Sequence, residues 1–359
     1  MPFKLSAFYP YPATNNPIPV IYWLAVIPVL VIIYFLIQSF KKNKAIFFGI
    51  VFFIINIILL LQILPVGSAI MADRYAYMPS IGFFIVLGVG LQAVLKNKNK
   101  IKKNIVFLFT GYILFLSILT FNRTKTWKDS ITLWSDVIEK YDNVVVAWYN
   151  RGNAYKEIEK YQEAIKDYTV AIEKKPTHKN AYNNRGLSKQ DLKDYQGAMK
   201  DFTKALEIDS SHYNSYNNRG YLKELIGMHE EALLDYDKAL EINPRFVDAN
   251  YNKASLLGKS GQIDKALDYY NITLQINPNY IKALDNRGIV KAMSGDVDGA
   301  LMDFNKALEI DPNFVNAYFN RAIAYLNAGQ TGKACIDLQK AYNLGHPSAL
   351  ELIKKNCNN

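Results

Sequence analysis

Two consecutive 34-residue segments in the middle of the chain decide the fold. Residues 179–212 read KNAYNNRGLSKQDLKDYQGAMKDFTKALEIDSSH, and residues 213–246 read YNSYNNRGYLKELIGMHEEALLDYDKALEINPRF. The same pattern recurs outward from these segments, and the six resulting units start at Val145, Lys179, Tyr213, Val247, Ile281 and Val315. Self-similarity at such a period predicts a stack of supersecondary units, each of which buries its apolar face against its neighbours.

Small and large residues recur at fixed positions of the 34-residue unit. Position 20 is Ala in all six units and position 8 is Gly or Ala, which predicts that two helices approach closely there. Position 24 is aromatic in five units and is Leu338 in the sixth. The period and these positions resemble the tetratricopeptide repeat, which implies helical hairpins wound into a superhelix with a concave groove.

The predicted fold class is therefore all-α, with an α-solenoid of six repeats over residues 145–348. Residues 122–144 are expected to form a linker helix that leads into the solenoid, and Trp127–Tyr141 is its amphipathic part. Residues 349–359 are expected to form a capping helix and tail, because each end of a repeat array exposes an apolar face that needs a cover.

Position 6 of the unit is Asn in every repeat. The six residues are Asn150, Asn184, Asn218, Asn252, Asn286 and Asn320. On a helix, position 6 lies about 200° around from the small residue at position 8, so these amides are predicted to face the groove. A carboxamide can both donate to and accept from a peptide backbone, so a ladder of them can hold an extended chain. The alternative is that each Asn satisfies local backbone groups within its own repeat.

Opposite charges also follow the repeat. Position 7 is basic in all six units, and position 23 is Asp in all units except the fourth. In the fourth unit position 7 is Lys253 rather than Arg, and position 23 is Tyr269. Because both positions change in the same unit, we predict that Arg and Asp pair between the two helices of a hairpin. Lys253 is then expected to be the freest of the six basic residues.

The first third of the chain differs in composition from the repeats. Residues 20–40 and 45–64 contain no charged side chain, and each stretch is long enough to cross a hydrocarbon core about 30 Å thick. Two further apolar stretches cover residues 75–95 and 105–121. The sequence thus predicts a transmembrane helical module of about four helices over residues 20–121, preceded by an external segment over residues 1–19.

Basic residues set the predicted orientation of this module. Residues 1–129 hold 13 Lys and Arg but only 2 acidic side chains, so the net positive charge of the chain belongs to the membrane part and nucleic acid is not expected as a partner. Lysines cluster in the first and third loops between spans, which marks these loops as cytoplasmic. The repeats are then expected on the non-cytoplasmic side, and the Lys-, Asn- and Ile-rich composition favours a bacterial inner membrane with periplasmic repeats.

A charged pair lies at the start of the third predicted span. Asp73 and Arg74 are followed by Tyr75 at the edge of the hydrocarbon. One interpretation is that these are ordinary boundary residues of a membrane helix, with Tyr75 in the interfacial aromatic belt. The other is that Arg74 holds the phosphate of a lipid-linked substrate, because a guanidinium matches phosphate oxygens bidentately.

No catalytic or metal-binding constellation is visible in the sequence, and no cofactor is expected. The four His residues do not pair with Ser or Cys at a meaningful spacing. Cys335 and Cys357 form no metal-binding motif. They can pair with each other if the repeats lie on an oxidising side, but the sequence does not supply the Cα separation that such a bond needs.

Three features together resemble one family of membrane enzymes. Residues 5–12 read LSAFYPYP, residues 72–80 read ADRYAYMPS, and the repeats follow soon after. The combination resembles the C-terminal part of repeat-bearing membrane O-glycosyltransferases of the GT-C type, similar to the TMTC protein O-mannosyltransferases and their bacterial relatives. This resemblance implies that Arg74 and Tyr75 contact a lipid phosphate. In that family further membrane helices and an acidic catalytic loop come first, whereas this chain has no external carboxylate before Asp73.

The leading hypothesis from the sequence is a membrane-anchored scaffold whose repeats bind a polypeptide, as the acceptor-binding part of a protein O-glycosyltransferase. The asparagine ladder supports it by its resemblance to the ladder of the O-GlcNAc transferase repeats, which implies that it grips acceptor polypeptides. One alternative is an active GT-C-type glycosyltransferase that uses a polyprenyl-phosphate sugar. Another is a structural assembly factor without sugar chemistry. The expected partners are a protein or peptide in the groove and a membrane lipid.

Overall fold

The computed structural model describes residues 124–357 continuously. It also describes scattered positions within 30–52, 88–92 and 107–122, and these scattered positions are helical. Among these described residues, no helix is both long and apolar enough to cross a lipid bilayer. Most of the four predicted spans falls outside the described residues, and so do Asp73, Arg74 and Tyr75. The membrane module and its charged pair therefore stay predictions.

All regular structure between residues 124 and 357 is helical, as predicted. After a short 3-10 turn at Lys125–Trp127, the helices are α1 Ser130–Lys140, α2 Val145–Glu157, α3 Tyr161–Lys174, α4 Lys179–Asp191, α5 Tyr195–Ile208, α6 Tyr213–Leu225, α7 His229–Ile242, α8 Val247–Lys259, α9 Ile263–Ile276, α10 Ile281–Met293, α11 Val297–Ile310, α12 Val315–Asn327, α13 Thr331–Asn343 and α14 Ala349–Asn356. The chain divides into two compact units, residues 1–176 and residues 177–359. Hairpin α2–α3 belongs to the first unit, and the remaining five hairpins belong to the second.

Each hairpin is closed by a large side chain that fits against a small one. The residue at position 24 is almost completely buried in all six repeats: Tyr168, Phe202, Tyr236, Tyr270, Phe304 and Leu338. Its ring lies so close to position 8 of the same hairpin that a Cβ added to Gly186 would come within 2.7 Å of Phe202 Cε1. A larger residue at position 8 would therefore separate the two helices, which explains why the sequence has only Gly or Ala there.

The turn inside each hairpin needs a left-handed residue at position 15. In the last four repeats this position is Gly, with φ between 71° and 88°: Gly227, Gly261, Gly295 and Gly329. In the first two repeats the position is Glu159 and Lys193, with φ of 60° and 64°. These two residues adopt a conformation that costs L side chains free energy and that Gly adopts readily.

Helix α1 packs like the second helix of an incomplete repeat. Counting back 34 residues from the first repeat puts Trp134 at position 24 and Ser135 at position 25. Ser135 accepts a hydrogen bond from Arg151 Nη1 at 3.1 Å, and Val137 is fully buried against the first repeat. The predicted linker helix is thus α1, which begins at Ser130 rather than at Trp127 and covers the apolar side of α2.

Helix α14 covers the last hairpin. It packs with Leu352 and Ile353 against the buried Leu338 and the neighbouring Phe319. Cys335 of α13 and Cys357 after α14 form a disulfide with a Cα separation of 5.7 Å, which lies in the usual range for this bond. The sequence had left this pairing open.

Candidate functional site

The asparagines at position 6 form a hydrogen-bonded row within residues 177–359. Each of the last four donates from its Nδ2 to the side chain at position 5 of the preceding repeat, over 2.9 to 3.1 Å. The pairs are Asn218 to Asn183, Asn252 to Asn217, Asn286 to Tyr251 and Asn320 to Asp285. We call the surface that carries Asn184, Asn218, Asn252, Asn286 and Asn320 the asparagine face.

These contacts differ from the alternative interpretation of the sequence, in which each Asn satisfies backbone groups within its own repeat. The four amides donate to side chains of the preceding repeat and not to local backbone groups of their own repeat. One N–H of each amide thus joins consecutive first helices, while every amide of the row, like Asn150 in the first unit, stays partly exposed. A primary amide has a second N–H and a carbonyl oxygen with two lone pairs, so capacity for a ligand remains.

A cavity of about 500 Å³ opens on the asparagine face between the second and fifth repeats. Its lining combines Asn218 and Asn252 with the aromatic side chains of Tyr221, Tyr251 and Tyr280. Tyr221 is 45% exposed. Such a mixture of aromatic surface and a few amides is typical of a surface that binds a polypeptide through its backbone and its side chains.

Charged groups flank this cavity and partly neutralise one another. Lys259 Nζ lies 2.8 Å from Glu224 Oε1, and the buried Tyr236 donates its O–H to Glu224 Oε2 at 3.0 Å. Burial and the nearby Glu224 carboxylate raise the pKa of Tyr236 well above its usual value. Burial, with a smaller contribution from Asp248, raises the pKa of Tyr280 to about 12. Both phenols therefore stay neutral donors at physiological pH.

Asp285 is a buried carboxyl on the same row that the sequence did not single out. It occupies position 5 of the fifth repeat, is 5% exposed and accepts from Asn320 at 2.9 Å. Burial raises the pKa of Asp285 to about 6, although the Asn320 hydrogen bond opposes this shift. The only sequence signal for it is that position 5 varies between Tyr, Asn, Asp and Phe while its neighbour at position 6 does not.

The predicted Arg–Asp ion pairs between the two helices of a hairpin are confirmed in all repeats except the fourth. Arg185 donates from Nε and Nη2 to the two oxygens of Asp201 at 2.8 and 2.6 Å, and the same bidentate geometry recurs in four other hairpins. The aspartates are only 3% to 4% exposed. These arginines hold the hairpins together and are committed to structural partners.

The fourth repeat departs from this pattern, and the prediction that Lys253 is the freest basic residue was wrong. Its amine contacts Asp237 of the preceding repeat and the hydroxyl of Tyr269, and it lies 4.1 Å from the centre of the Tyr269 ring. Lys253 is 8% exposed. Because Tyr269 brings no charge, the lysine takes its counter-ion from position 25 of the third repeat, the only repeat with Asp there. The ion pair has moved from within a hairpin to between two hairpins.

No group of three His, Cys, Asp or Glu side chains that could hold a metal ion occurs in the part of the chain that the structure describes. The lipid-phosphate candidates Asp73, Arg74 and Tyr75 lie outside the described residues.

Family models of the tetratricopeptide repeat match residues 145–178, 180–212 and 213–246, and further residues 235–268 and 304–336. Among curated proteins, the chain is 35% identical over 101 residues to the protein O-mannosyl-transferase tmtc2 of Xenopus laevis and 31% identical over 102 residues to human protein O-mannosyl-transferase TMTC3. These matches lie in the repeats and cover 28% of this chain but only 12% and 11% of the two relatives. A solved tetratricopeptide repeat protein from Parabacteroides merdae has the same fold, with a TM-score of 0.50, 21% identity, and coverage of 75% of this chain and 99% of that one.

Proposed function

Because this chain carries tetratricopeptide repeats that are similar to those of the TMTC O-mannosyltransferases, we propose that it is a membrane-anchored scaffold that binds an extended polypeptide. The polypeptide lies on the asparagine face, on the non-cytoplasmic side of the membrane. In this proposal the repeats are the acceptor-binding part of a protein O-glycosyltransferase, and the bound polypeptide is the acceptor.

The observation that carries this proposal is the row of partly exposed carboxamides at a fixed repeat position. A row of identical amides offers hydrogen bonds to any peptide backbone, whatever its side chains, at about 1 kcal/mol net for each bond. The neighbouring tyrosines of the cavity add aromatic surface for side chains of the bound polypeptide. A scaffold that serves many acceptors needs this kind of binding, which depends little on sequence.

The membrane part of the proposal is supported by the charge and hydropathy of residues 1–129 and by the similarity of the repeats to those of protein O-mannosyl-transferases. Arg74, with Asp73 and Tyr75 beside it, is proposed to contact the phosphate of a polyprenyl-phosphate sugar. The Cys335–Cys357 disulfide supports a non-cytoplasmic location for the repeats, because disulfides persist in oxidising compartments.

The polypeptide-binding proposal is tested by a triple variant in which Asn218, Asn252 and Asn286 become Ala. Binding of an unfolded model polypeptide to the full chain in detergent is expected to weaken by at least tenfold, because three backbone contacts are lost. Stability is expected to fall by a smaller factor than binding: Asn183 keeps the hydroxyl of Ser215 as a donor at 2.9 Å, whereas Asn217 and Tyr251 each lose one hydrogen bond. The matched control is Asn305→Ala, which removes an exposed amide of α11 that contacts Arg321. Equal binding by the triple variant and the control would contradict the proposal.

The lipid part is tested separately with a photoreactive polyprenyl phosphate. Arg74→Ala is expected to reduce labelling of the full chain several-fold, because the guanidinium is the proposed phosphate contact. Lys128→Ala is the control, since it removes a positive charge outside the proposed contact. Labelling that drops equally in both variants would show that general charge, not a phosphate site, attracts the lipid.

A further inference from the structure

The amides of the asparagine face differ in how their carbonyl oxygens are used. In the second and third repeats the oxygen accepts an N–H from the preceding residue: Asn183 donates to Asn184 at 3.1 Å and Asn217 donates to Asn218 at 3.4 Å. No such donor reaches Oδ1 of Asn252, Asn286 or Asn320 within the described residues. None of these three oxygens is a buried atom that lacks a partner, and all three residues are partly exposed.

The residue at position 5 decides which state the oxygen takes. An asparagine there accepts from the next repeat through Oδ1 and still has its own Nδ2 to cap the neighbouring amide. Tyr251 and Asp285 accept from the next repeat in the same way but leave the neighbouring amide uncapped. Phe319 has no polar group, and its ring stacks on His346 at 3.7 Å. The row of amides thus has two parts: the oxygens of Asn184 and Asn218 are capped by the preceding residue, and those of Asn252, Asn286 and Asn320 are not.

We propose that the fourth, fifth and sixth repeats are the segment that grips the polypeptide, through acceptance of its backbone N–H groups by Asn252, Asn286 and Asn320. This inference rests on the proposed polypeptide binding and adds a chemical class to it. The ligand is an extended stretch that offers backbone N–H groups at the contact positions, so proline is excluded there because it has no N–H. The second and third repeats hold the ligand more weakly, since the oxygen of each amide already accepts one hydrogen bond from the preceding residue.

Substitutions at position 5 test this inference and leave the asparagines at position 6 unchanged. Tyr251→Asn together with Asp285→Asn gives the fourth and fifth repeats the residue that the second and third already have, so it caps Asn252 and Asn286. Asn217→Tyr is the reverse change, which uncaps Asn218 and leaves a hydroxyl to accept from Asn252. Circular dichroism and melting temperature of each full chain in detergent establish that the variants are folded.

The probe is a displayed library of short random peptides, selected on the native full chain and then synthesised for affinity measurement. We expect the selected peptides to be depleted of proline in their shared core. The double capping variant is expected to bind them roughly twentyfold more weakly, since two backbone bonds of about 1 kcal/mol are lost. Asn217→Tyr is expected to bind them about fivefold more tightly.

The outcomes separate this inference from the proposed function. If peptides are selected but proline is tolerated, or if Asn184→Ala and Asn218→Ala weaken binding as much as Asn286→Ala and Asn320→Ala, polypeptide binding stands and the gripping segment is refuted. If the native chain selects no peptide at all, both fail. Methylation of individual backbone nitrogens in one selected peptide gives a second readout: a loss of about fivefold is expected at the positions that contact the uncapped amides, and uniform tolerance would overturn the inference.

Discussion

Arg185 and Asp201 illustrate how single residues stabilise this fold. The carboxylate is 3% exposed and receives two hydrogen bonds from one planar guanidinium, while Lys189 lies 2.8 Å from its second oxygen. Truncation of one partner leaves a buried charge without its main counter-ion, which is costly even where the intact pair contributes little net free energy. The pair therefore fixes the geometry of the hairpin and offers nothing to a ligand.

A double-mutant cycle on this pair is the first residue-scale prediction. Arg185→Ala and Asp201→Ala are each expected to destabilise the chain, and their coupling free energy is expected to exceed about 0.5 kcal/mol because the contact is bidentate and mostly buried. The free energies come from urea unfolding of the full chain in detergent. Additive effects of the two substitutions would refute a direct interaction.

Asp285 gives a second residue-scale prediction, with a defined pH window. Burial raises its pKa from 3.8 to about 6, so between these values the folded state holds a proton that the unfolded chain has released. The contribution to stability is full below about pH 4 and is lost as the pH rises through about 6. Asp285→Asn is expected to remove this loss and stabilise the chain at pH 7 by up to ~3 kcal/mol.

The measurement is the melting temperature of the native chain and of Asp285→Asn between pH 4 and pH 7.5. The difference between them is expected to grow with pH across the window and to level off above it. Asp237→Asn is the control, because this carboxylate is 46% exposed at its side chain and pairs with Lys253. A difference that does not change with pH would mean that Asp285 does not titrate in this window.

At the scale of the element, the hairpin is the unit that the sequence specifies best. Its two helices are set by the fit of position 24 against position 8, and its turn by the left-handed residue at position 15. All six repeats have this left-handed residue, but the first two use Glu159 and Lys193 and the last four use Gly. The four turns with Gly can therefore serve as a comparison for the two turns with Glu159 and Lys193.

Lys193→Gly is the element-scale prediction. Glycine relieves the cost of the left-handed conformation at φ 64°, and part of that gain is offset by its larger entropy in the unfolded chain. A net stabilisation of roughly 0.5–1 kcal/mol is expected in urea unfolding. The control Lys200→Gly, within α5, is expected to destabilise by about 1 kcal/mol, because it puts the same residue inside a helix. Equal effects of the two substitutions would contradict this account of the turn.

At the scale of the whole molecule, the repeats end in two different covers. Helix α1 packs against the first hairpin at the place of a second helix of a repeat, and α14 packs against the last hairpin at the place of a first helix. The disulfide between Cys335 and Cys357 fastens the second of these covers. This bond also connects the fold to the compartment in which the repeats lie.

Thiol trapping in native membranes is the whole-molecule prediction. If the repeats lie on the oxidising side, Cys335 and Cys357 are expected to resist alkylation until a reductant is added, and then to react together. The shift in mass after alkylation, with and without reduction, is read with an antibody against the repeats. Cys357→Ser supplies a control with one thiol that reacts without reduction. Free reactivity of both thiols in the native protein would place the repeats in a reducing compartment.

The sequence by itself determined the helical repeats, their register and the ion pairs within five of the hairpins, because these depend on contacts at fixed short separations that recur along the chain. It also marked the asparagines, although not their partners. Only the tertiary structure decided that four of the amides donate to the preceding repeat, that Lys253 pairs with Asp237, and that the preceding residue caps the oxygens of Asn184 and Asn218 but not those of Asn252, Asn286 and Asn320. Those contacts join different repeats, and they depend on position 5 and position 25, where the residue changes from one repeat to the next. A periodic pattern specifies what is common to all repeats, whereas the stacking of unlike neighbours specifies where a ligand can bind.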